Sequence, residues 1–152
     1  MRAVVTRVLS ASVEIEGSIR GEIGGGFLVL LGIKAEDTPE LTKKLAQKLC
    51  GLRVFEDENG KMNRSLSDVG GKLLVVSQFT LYGNCRHGKR PDFLAAARPE
   101  TAVPLYELFI SECRALGFEV QTGEFGADMK VASVNDGPVP LILDTDDLVP
   151  AK

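Results

Sequence analysis

Apolar and polar residues alternate over the first third of the chain in a pattern that predicts β-strands. The segments RAVVTRVLS, SVEIEG and SIRGEI have the period of two that is typical of strands with one buried face. The run FLVLLGI follows a predicted glycine turn at 24–26 and is apolar throughout, which predicts a strand buried on both faces. The corner at Glu16 to Ser18 predicts a hairpin between two of the earlier strands.

Two later segments repeat their apolar residues at the helical spacing of three and four positions. The first begins at Pro39, after the candidate capping residues Asp37 and Thr38, and should end near Gly51. The second begins at Pro99 and should end at Gly117. The positions of the second helix that we expect to face the core are Leu105, Leu108, Phe109, Cys113 and Leu116.

The remaining segments predict further strands and set the fold class. LRVFEDENGKMN predicts a short strand and a turn, and GKLLVVSQFTLY predicts a second buried strand with a polar end. FEVQTG, DMKVASVN and VPLILD predict three closing strands, with the corner NDGPVP between the last two. Strands first, two helices inserted and strands last predict a single-domain layered α/β/β fold over residues 1–152, with mixed, largely antiparallel sheets and two main helices.

Composition limits the function classes more than it changes the fold. A length of 152 residues, with 44% hydrophobic and 26% charged residues, is typical of one globular domain. The net charge of -3 does not indicate a nucleic-acid-binding surface, so any RNA contact must be local. The visible basic cluster is Arg86, His87, Lys89 and Arg90. The chain has no apolar run of the roughly 18 to 20 residues that a membrane span needs, and we expect a cytoplasmic protein.

The cysteines and the single histidine restrict metal and thiol chemistry. Cys50, Cys85 and Cys113 have no Cys-x-x-Cys spacing, which favours reduced thiols over a disulfide framework or a zinc site. We therefore expect neither a metal nor a cofactor. Cys85 and His87 are two residues apart and form a weak candidate for a thiol and imidazole pair, because no third residue is visible to orient the imidazole.

Polar side chains end the second buried strand, in the segment SQFTL. Ser77, Gln78 and Thr80 carry hydroxyl or amide groups at the point where the apolar residues stop. If the strand stays regular, Gln78 and Thr80 share one face, while Ser77 and Phe79 share the other. These groups either form a site or satisfy backbone groups where the strand enters its loop, and the residues alone leave both interpretations open.

SQFTL and the corner NDGPVP together closely resemble the two signature motifs of the D-aminoacyl-tRNA deacylases. The resemblance extends to the opening MRAVVTRVLSASVEIEG, to RPDF and to GEFGADM, and so covers nearly the whole chain. It implies a cytosolic homodimer that binds aminoacyl-tRNA at its 3' terminal adenosine. It also implies the reaction, which is hydrolysis of the ester that joins a D-amino acid, or glycine, to that adenosine.

The resemblance implies a role for the corner as well. In the family, the peptide bond that matches Gly137 and Pro138 is cis, and it enters the active site of the other subunit. The carbonyls of both residues would then face the bound ester, where an L side chain would collide and glycine would pass. Arg7 is implied to brace the corner, and Phe79 and Phe125 are implied to line the adenosine pocket.

Ser77, Gln78 and Thr80 are the implied catalytic residues. Thr80 is the nucleophile candidate by type, but no histidine or free amine that could serve as its base is evident beside it in the sequence. We therefore expect the three side chains to position the ester, and backbone N–H groups near Phe79 and Thr80 to hold the oxyanion. The 2'-hydroxyl of the tRNA ribose would assist proton transfer, as the resemblance also implies.

One position departs from the family's pattern, and two other functions stay open. Pro140 stands where the family usually has a threonine, so a hydroxyl and a backbone donor are both absent. This loss is the only sequence hint of a dimeric module that binds the tRNA end without hydrolysing it. The other alternative is an esterase for small metabolites that uses Cys85.

Overall fold

The computed structural model describes residues 1–149, which form eight strands, two α-helices and two short 3-10 turns. The strands are β1 (Arg2–Ile15), β2 (Ser18–Ile23), β3 (Gly26–Gly32), β4 (Phe55–Glu56), β5 (Met62–Arg64), β6 (Lys72–Ser77), β7 (Val120–Thr122) and β8 (Lys130–Asp144). The helices are α1 (Pro39–Cys50) and α2 (Pro99–Ala115), and the 3-10 turns are Phe79–Tyr82 and Thr145–Leu148.

Strand β1 is the centre of the main sheet because it has partners along both edges. Its first half pairs with β3 and its second half pairs with β2, both antiparallel. The same β1 residues also pair antiparallel with β8, so β8 must lie on the opposite edge of β1. On the far side of β3, β6 and then β7 add in parallel. The predicted mixed, largely antiparallel sheet is therefore confirmed, and β4 and β5 form a separate two-stranded ribbon.

Two apolar clusters lie on opposite faces of this sheet. The larger cluster contains Val5 of β1 and Phe27 of β3, together with the buried residues of α1 and α2. The smaller cluster contains Val8 of β1 and Leu74 of β6, where β2 packs across the sheet. The strand predicted from FLVLLGI contributes to both clusters, which confirms that it is buried on both faces and gives the α/β/β layers.

The helix boundaries follow the sequence signals closely. The Thr38 hydroxyl accepts the N–H of Leu41 at 3.3 Å, Pro39 takes the first helical position, and α1 stops at Gly51. In α2, Leu105, Phe109 and Cys113 of the expected apolar face are buried, Leu108 is only half-buried, and Leu116 is 43% exposed. The prediction for Leu116 is therefore wrong, because α2 ends at Ala115 and Leu116 already belongs to its C-terminal cap.

Cys113 lies in the core, as its helical spacing predicts, and it contacts a second cysteine. Its sulfur lies 3.7 Å from that of Cys50, so the two thiols join α2 to α1 without a disulfide. The hydrogen bond shared with Cys50, which favours a protonated Cys113, and the burial of the side chain raise the pKa of the Cys113 thiol. Cys113 is therefore a neutral packing residue at physiological pH.

The amino group of Met1 forms a buried ion pair that no local sequence pattern predicts. It donates to the Asp37 carboxylate at 2.5 Å and to the Thr145 hydroxyl at 2.8 Å. The other carboxylate oxygen of Asp37 accepts the backbone N–H of Lys34 at 2.8 Å. Asp37, one of the two candidate capping residues, thus leaves the cap to its neighbour and joins the start of β1 to the turn after β8.

Replacing Asp37 by asparagine should destabilise the fold strongly, because the ammonium group of Met1 would stay buried without a counter-charge. Breaking one partner of a buried ion pair costs about 3 to 5 kcal/mol. The matched control is Glu119→Gln, which removes the exposed pair with Lys72 at 3.1 Å and should cost at most about 1 kcal/mol. Urea denaturation of the two variants measures this difference, and equal losses would contradict the assigned role of Asp37.

Candidate functional site

Strand β6 ends at Ser77, and the chain then turns instead of continuing as a strand. The N–H of Gln78 still bonds the Leu31 carbonyl at 2.8 Å, but β3 ends one residue later, so no partner strand remains for the residues that follow. The 3-10 turn Phe79–Tyr82 takes over, and it packs against Gly32, where a Cβ atom would lie 3.0 Å from the Gln78 carbonyl. The expectation of a regular strand through SQFTL is therefore wrong.

This turn changes which of the predicted side chains meet. Gln78 and Thr80 do contact each other, since the Gln78 amide donates to the Thr80 hydroxyl at 2.6 Å. However, Ser77, Gln78 and Phe79 all line the same cavity, which strict alternation along a strand would forbid. Thr80 lies next to this group and contacts it through Gln78.

The cavity opens at the carboxyl ends of the parallel strands β3 and β6. It has a volume of about 270 Å³ and is lined by Ser77, Gln78 and Phe79 on one side and Phe125 on another. Ligand sites commonly have about 300 to 1,000 Å³, so this cavity matches one part of a larger ligand. Binding at the carboxyl ends of parallel strands is also a general feature of α/β proteins.

The Phe125 side of the cavity is held by Tyr106 of α2. The two rings lie 5.8 Å apart between centroids, and the Tyr106 hydroxyl donates to the Val75 carbonyl of β6 at 3.0 Å. Burial raises the pKa of Tyr106 to about 12, so the hydroxyl remains protonated at neutral pH and this hydrogen bond persists. The sequence analysis did not identify Met129 and Val131, which also line the cavity. Met129 had no signal beyond the GEFGADM resemblance, and Val131 had none.

Two backbone donors lie at the start of the 3-10 turn. The first hydrogen bond of the turn runs from Leu81 N–H to the Gln78 carbonyl at 3.3 Å. The N–H groups of Phe79 and Thr80 precede that bond, and the leading N–H groups of a helical turn have no partner inside it. They are therefore positioned beside the polar side chains, where they could stabilise negative charge.

The corner that separates the two predicted closing strands is a bulge within one strand, β8. Thr6 of β1 pairs with Pro140, and Val8 pairs with Asn135, so residues 136–139 all stand opposite a single β1 residue. The separate strands expected from DMKVASVN and VPLILD are therefore one continuous strand that pairs with β1 on both sides of the bulge. The peptide bond between Gly137 and Pro138 is cis, as the resemblance implies.

The residue opposite this bulge is Arg7, which is 4% exposed and holds the corner in place. Its Nε donates to the Asp136 carbonyl at 3.1 Å, and its Nη1 donates to the Val54 carbonyl at 2.6 Å. At Gly137 the backbone has a φ of +121°, and a Cβ atom there would lie 2.8 Å from the Val139 side chain and 3.0 Å from Arg7 Nη2. The corner therefore leaves no room for a larger residue at position 137.

The predicted site residues form two separate groups within the chain. Ser77, Gln78, Phe79 and Phe125 surround the cavity, and Thr80 adjoins it. The second group is the corner, with Gly137 and Pro138 exposed and Arg7 buried beneath them, and none of these three residues lines the cavity.

The strand that carries the corner has a free edge and exposed apolar residues. Among the described strands, β8 pairs only with β1, and Val134 and Ile142 are 53% and 73% exposed. Leu9 of the neighbouring strand is 60% exposed. Pro140 lies on this edge strand, where the missing backbone donor is tolerated.

The structure gives little support for thiol or metal chemistry. Cys85 and His87 are both exposed, and no hydrogen bond joins them within residues 1–149. Over the same residues, no three His, Cys, Asp or Glu side chains are grouped as metal ligands would be. Neither α-helix of this range has the length and apolar character needed to cross a bilayer.

Comparison with known proteins gives consistent matches over nearly the full length. The family model described as D-Tyr-tRNA(Tyr) deacylase matches residues 4–144. A D-aminoacyl-tRNA deacylase of Thermus aquaticus is 58% identical over 145 residues, which cover 95% of each chain. The D-aminoacyl-tRNA deacylase of Thermosipho africanus strain TCF52B is 55% identical, with 95% of this chain and 97% of that protein covered.

Two solved structures resemble this one closely. The c-Myc DNA unwinding element binding protein is 41% identical, with a TM-score of 0.89, and the match covers 99% of this chain and 100% of that one. A structure titled as a probable eukaryotic D-amino acid tRNA deacylase is 16% identical, with a TM-score of 0.80. This second match covers 93% of this chain and 97% of that one and shows the fold alone.

Proposed function

The chain belongs to the D-aminoacyl-tRNA deacylase family, and we propose that its cavity holds the terminal adenosine of aminoacyl-tRNA while a partner's corner selects the amino acid. It is a hydrolase that acts on the ester bond of D-aminoacyl-tRNA. The observation that carries the proposal is the cavity at the end of β6, where hydroxyl, amide and backbone N–H groups meet two aromatic rings. Removal of D-amino acids in this way would constitute chiral proofreading of tRNA before translation in the cytoplasm.

Phe79 and Phe125 fit the adenosine, and the polar groups beside them fit the ester. Aromatic side chains commonly bind bases by stacking on their π-faces. The carbonyl oxygen of the ester would then lie near the N–H groups of Phe79 and Thr80. Those two donors would stabilise the oxyanion that forms when water attacks, which is commonly a large contribution to ester hydrolysis.

Thr80 acts in this proposal by positioning, because its partner is not a base. The Gln78 amide group donates to the Thr80 oxygen at 2.6 Å, and an amide donor cannot accept the proton of a nucleophilic hydroxyl. The contact occupies a lone pair of the Thr80 oxygen and leaves its O–H free to donate to the ester or to the attacking water. Ser77 lines the same cavity and adds a second hydroxyl for this purpose.

Proton transfer is therefore assigned to the substrate's own ribose. Water adds to the carbonyl carbon, the ester C–O bond breaks, and the ribose oxygen that leaves takes up a proton. The neighbouring 2'-hydroxyl is adjacent to the oxygen of the attacking water and to the ribose oxygen that leaves, so it can relay the proton from the first to the second. The products are the free amino acid and uncharged tRNA, so atoms and charge balance without a metal or cofactor.

The corner is proposed to complete the site of a second subunit. Gly137 and Pro138 are exposed, do not line the cavity of their own chain and belong to an edge strand with exposed apolar residues. An exposed apolar edge of this length is usually covered in the working assembly. A two-fold homodimer would cover both copies at once and would place each corner against the other subunit.

Selection would then arise from backbone atoms held rigidly by Arg7. A backbone wall near the α-carbon of the amino acid would collide with an L side chain and leave the D side chain free. Because glycine has no side chain, the same wall should admit glycyl-tRNA. This mechanism rejects the wrong substrate and needs little recognition of the right side chain, so several D-amino acids should be accepted.

Displacing the corner should reduce cleavage of D-aminoacyl-tRNA and of glycyl-tRNA. We expect the parent protein to cleave D-alanyl-tRNA and glycyl-tRNA and to spare L-alanyl-tRNA. In Gly137→Ala the added Cβ atom meets Arg7 and Val139, and the resulting shift should lower kcat/KM by about 10- to 100-fold. The control is Gly60→Ala, which has a similar positive φ of +74° but no atom within 4 Å of the added Cβ.

Measured rates on the matched D- and L-alanyl-tRNA substrates decide between the alternatives. A parent protein that binds D-alanyl-tRNA without turnover would support the non-hydrolytic binding module. Equal rates for Gly137→Ala and Gly60→Ala on all three substrates would show that selection lies outside the corner.

Removing the Thr80 hydroxyl should slow the reaction only partly. Loss of one positioning hydrogen bond corresponds to about a tenfold lower kcat in Thr80→Ala, and Thr80→Ser should restore most of the rate. A substrate that ends in 2'-deoxyadenosine should lose more, about 100-fold or beyond, because it lacks the proposed proton relay. Complete inactivity of Thr80→Ala together with normal cleavage of the deoxy substrate would instead identify Thr80 as a nucleophile.

A charge on the free edge should break the dimer and the activity together. We expect Ile142→Glu to sediment as a folded monomer with little hydrolysis, since Ile142 is 73% exposed on β8. The matched control is Ile19→Glu on β2, where the isoleucine is 54% exposed and outside the proposed interface. An active monomer in analytical ultracentrifugation would refute the shared site.

A further inference from the structure

The loop from Gly83 to Phe93 presents basic residues on a closed backbone frame. Asn84 and Asp92 pair across its base, with Asn84 N–H to the Asp92 carbonyl at 2.8 Å and the reverse bond at 3.0 Å. The Asn84 side chain also accepts the N–H of Arg86 at 3.0 Å, which fixes the start of the tip. The residues between these anchors include Arg86, His87, Lys89 and Arg90.

The three permanent cations of this tip have no acidic partner. Arg86, Lys89 and Arg90 are exposed, and none of them lies within 4.0 Å of a carboxylate of the described residues. Asp92, the acidic residue nearest in sequence, has one side-chain oxygen engaged by the N–H of Leu94 at 3.2 Å. The tip is thus a local concentration of positive charge on a chain whose net charge is -3.

Both ends of the loop are tied to the turn that lines the cavity. The Gly83 N–H donates to the Thr80 carbonyl at 2.9 Å, and a Cβ atom at Gly83 would lie 3.0 Å from the Phe93 ring. Phe93 in turn packs edge-on against Phe79, with 5.0 Å between ring centroids. Because Phe79 lines the cavity, the basic tip extends from the same wall.

We propose that this basic tip binds backbone phosphates of the tRNA acceptor end, just outside the nucleotide held in the cavity. The inference rests on the proposed function, because it takes the terminal adenosine to occupy the cavity. Every nucleotide before that adenosine carries a phosphate, and the loop is mounted on a turn that itself lines the cavity, through Phe79. Unpaired Arg and Lys side chains are the groups that commonly hold such phosphates.

The negative charges of the protein and of the tRNA explain why such a contact is needed. A protein with a net charge of -3 and a polyanionic tRNA repel each other at long range, so affinity must come from a local positive surface. The tip supplies three permanent positive charges and leaves the cavity itself uncharged on that side. Phosphates carry no sequence information, so this contact would strengthen binding to all tRNAs alike.

The test compares two triple variants that remove the same charge from different surfaces. The first is Arg86→Gln, Lys89→Gln, Arg90→Gln. The control is Lys43→Gln, Lys44→Gln, Lys48→Gln, which neutralises three exposed lysines of α1, a helix that contributes no residue to the cavity. Each variant is assayed on D-alanyl-tRNA and on D-alanyl-adenosine, a minimal ester that has no phosphate.

For the tip variant we expect kcat/KM on D-alanyl-tRNA to fall at least about tenfold at low salt, with no change on D-alanyl-adenosine. The slope of log kcat/KM against log salt should become shallower by about 2 to 3, because each lost phosphate contact removes about 0.7 to 0.9. Lys89→Gln alone should remove about one such contact. The α1 control should match the parent on both substrates.

Two outcomes would overturn the inference. Equal losses on the tRNA and on D-alanyl-adenosine would mean that the tip shapes the cavity and does not bind phosphate. An unchanged salt slope would mean that the tip makes no phosphate contact. Binding of uncharged tRNA, measured over the same salt range, tests the phosphate contact independently of hydrolysis. A parent protein that cleaves neither ester would therefore refute the proposed function without refuting the phosphate contact.

Discussion

The antiparallel pairing of β1 with β8 is the constraint on which the rest of the structure depends. It runs from Arg2 to Glu14 on β1, with one irregularity where the corner bulges opposite Arg7 and a second between Val8 and Ser10. Because β1 also carries β2 and β3 on its other edge, this one pairing fixes the corner relative to both apolar clusters. The buried pair between the Met1 ammonium and Asp37 locks the same arrangement at its end, next to the turn that follows β8.

In the proposed mechanism, two separate parts of the sheet divide the chemical work between them. The parallel pair β3 and β6 ends together and leaves a cavity at its carboxyl ends, with a tight turn that brings amide, hydroxyl and N–H groups into one place. The antiparallel edge at β8 supplies a stiff backbone projection and no catalytic side chain. The proposed site, built from both parts, would separate catalysis from selection, so that a wall against L-amino acids would be rigid without constraining the reacting groups.

The charges around the site follow a similar division, because the basic residues lie at the periphery of the cavity. The cavity is lined mainly by apolar residues and neutral polar groups, the side chain of the charged lining residue Asp128 is exposed, and the unpaired cations lie on a loop outside the cavity. A cavity without buried charge avoids the desolvation cost of such charge. An exterior cation cluster can attract a polyanion without altering the reaction itself.

The sequence alone determined the elements whose signals are local, because helix caps, apolar spacing and buried strands depend on neighbouring residues. It thus predicted α1, α2 as far as Ala115, the doubly buried β3 and the polar end of β6. Its motifs predicted eight site residues, but only as a set. The tertiary structure decided that β6 stops at Ser77, since its partner β3 ends there, and that two expected strands are one strand bulged over Arg7. It also decided that the corner and the cavity lie apart within the chain. Their positions depend on the pairing of β3 with β6 and of β1 with β8, which join residues 46 or more positions apart, and local sequence patterns carry no information on such pairings.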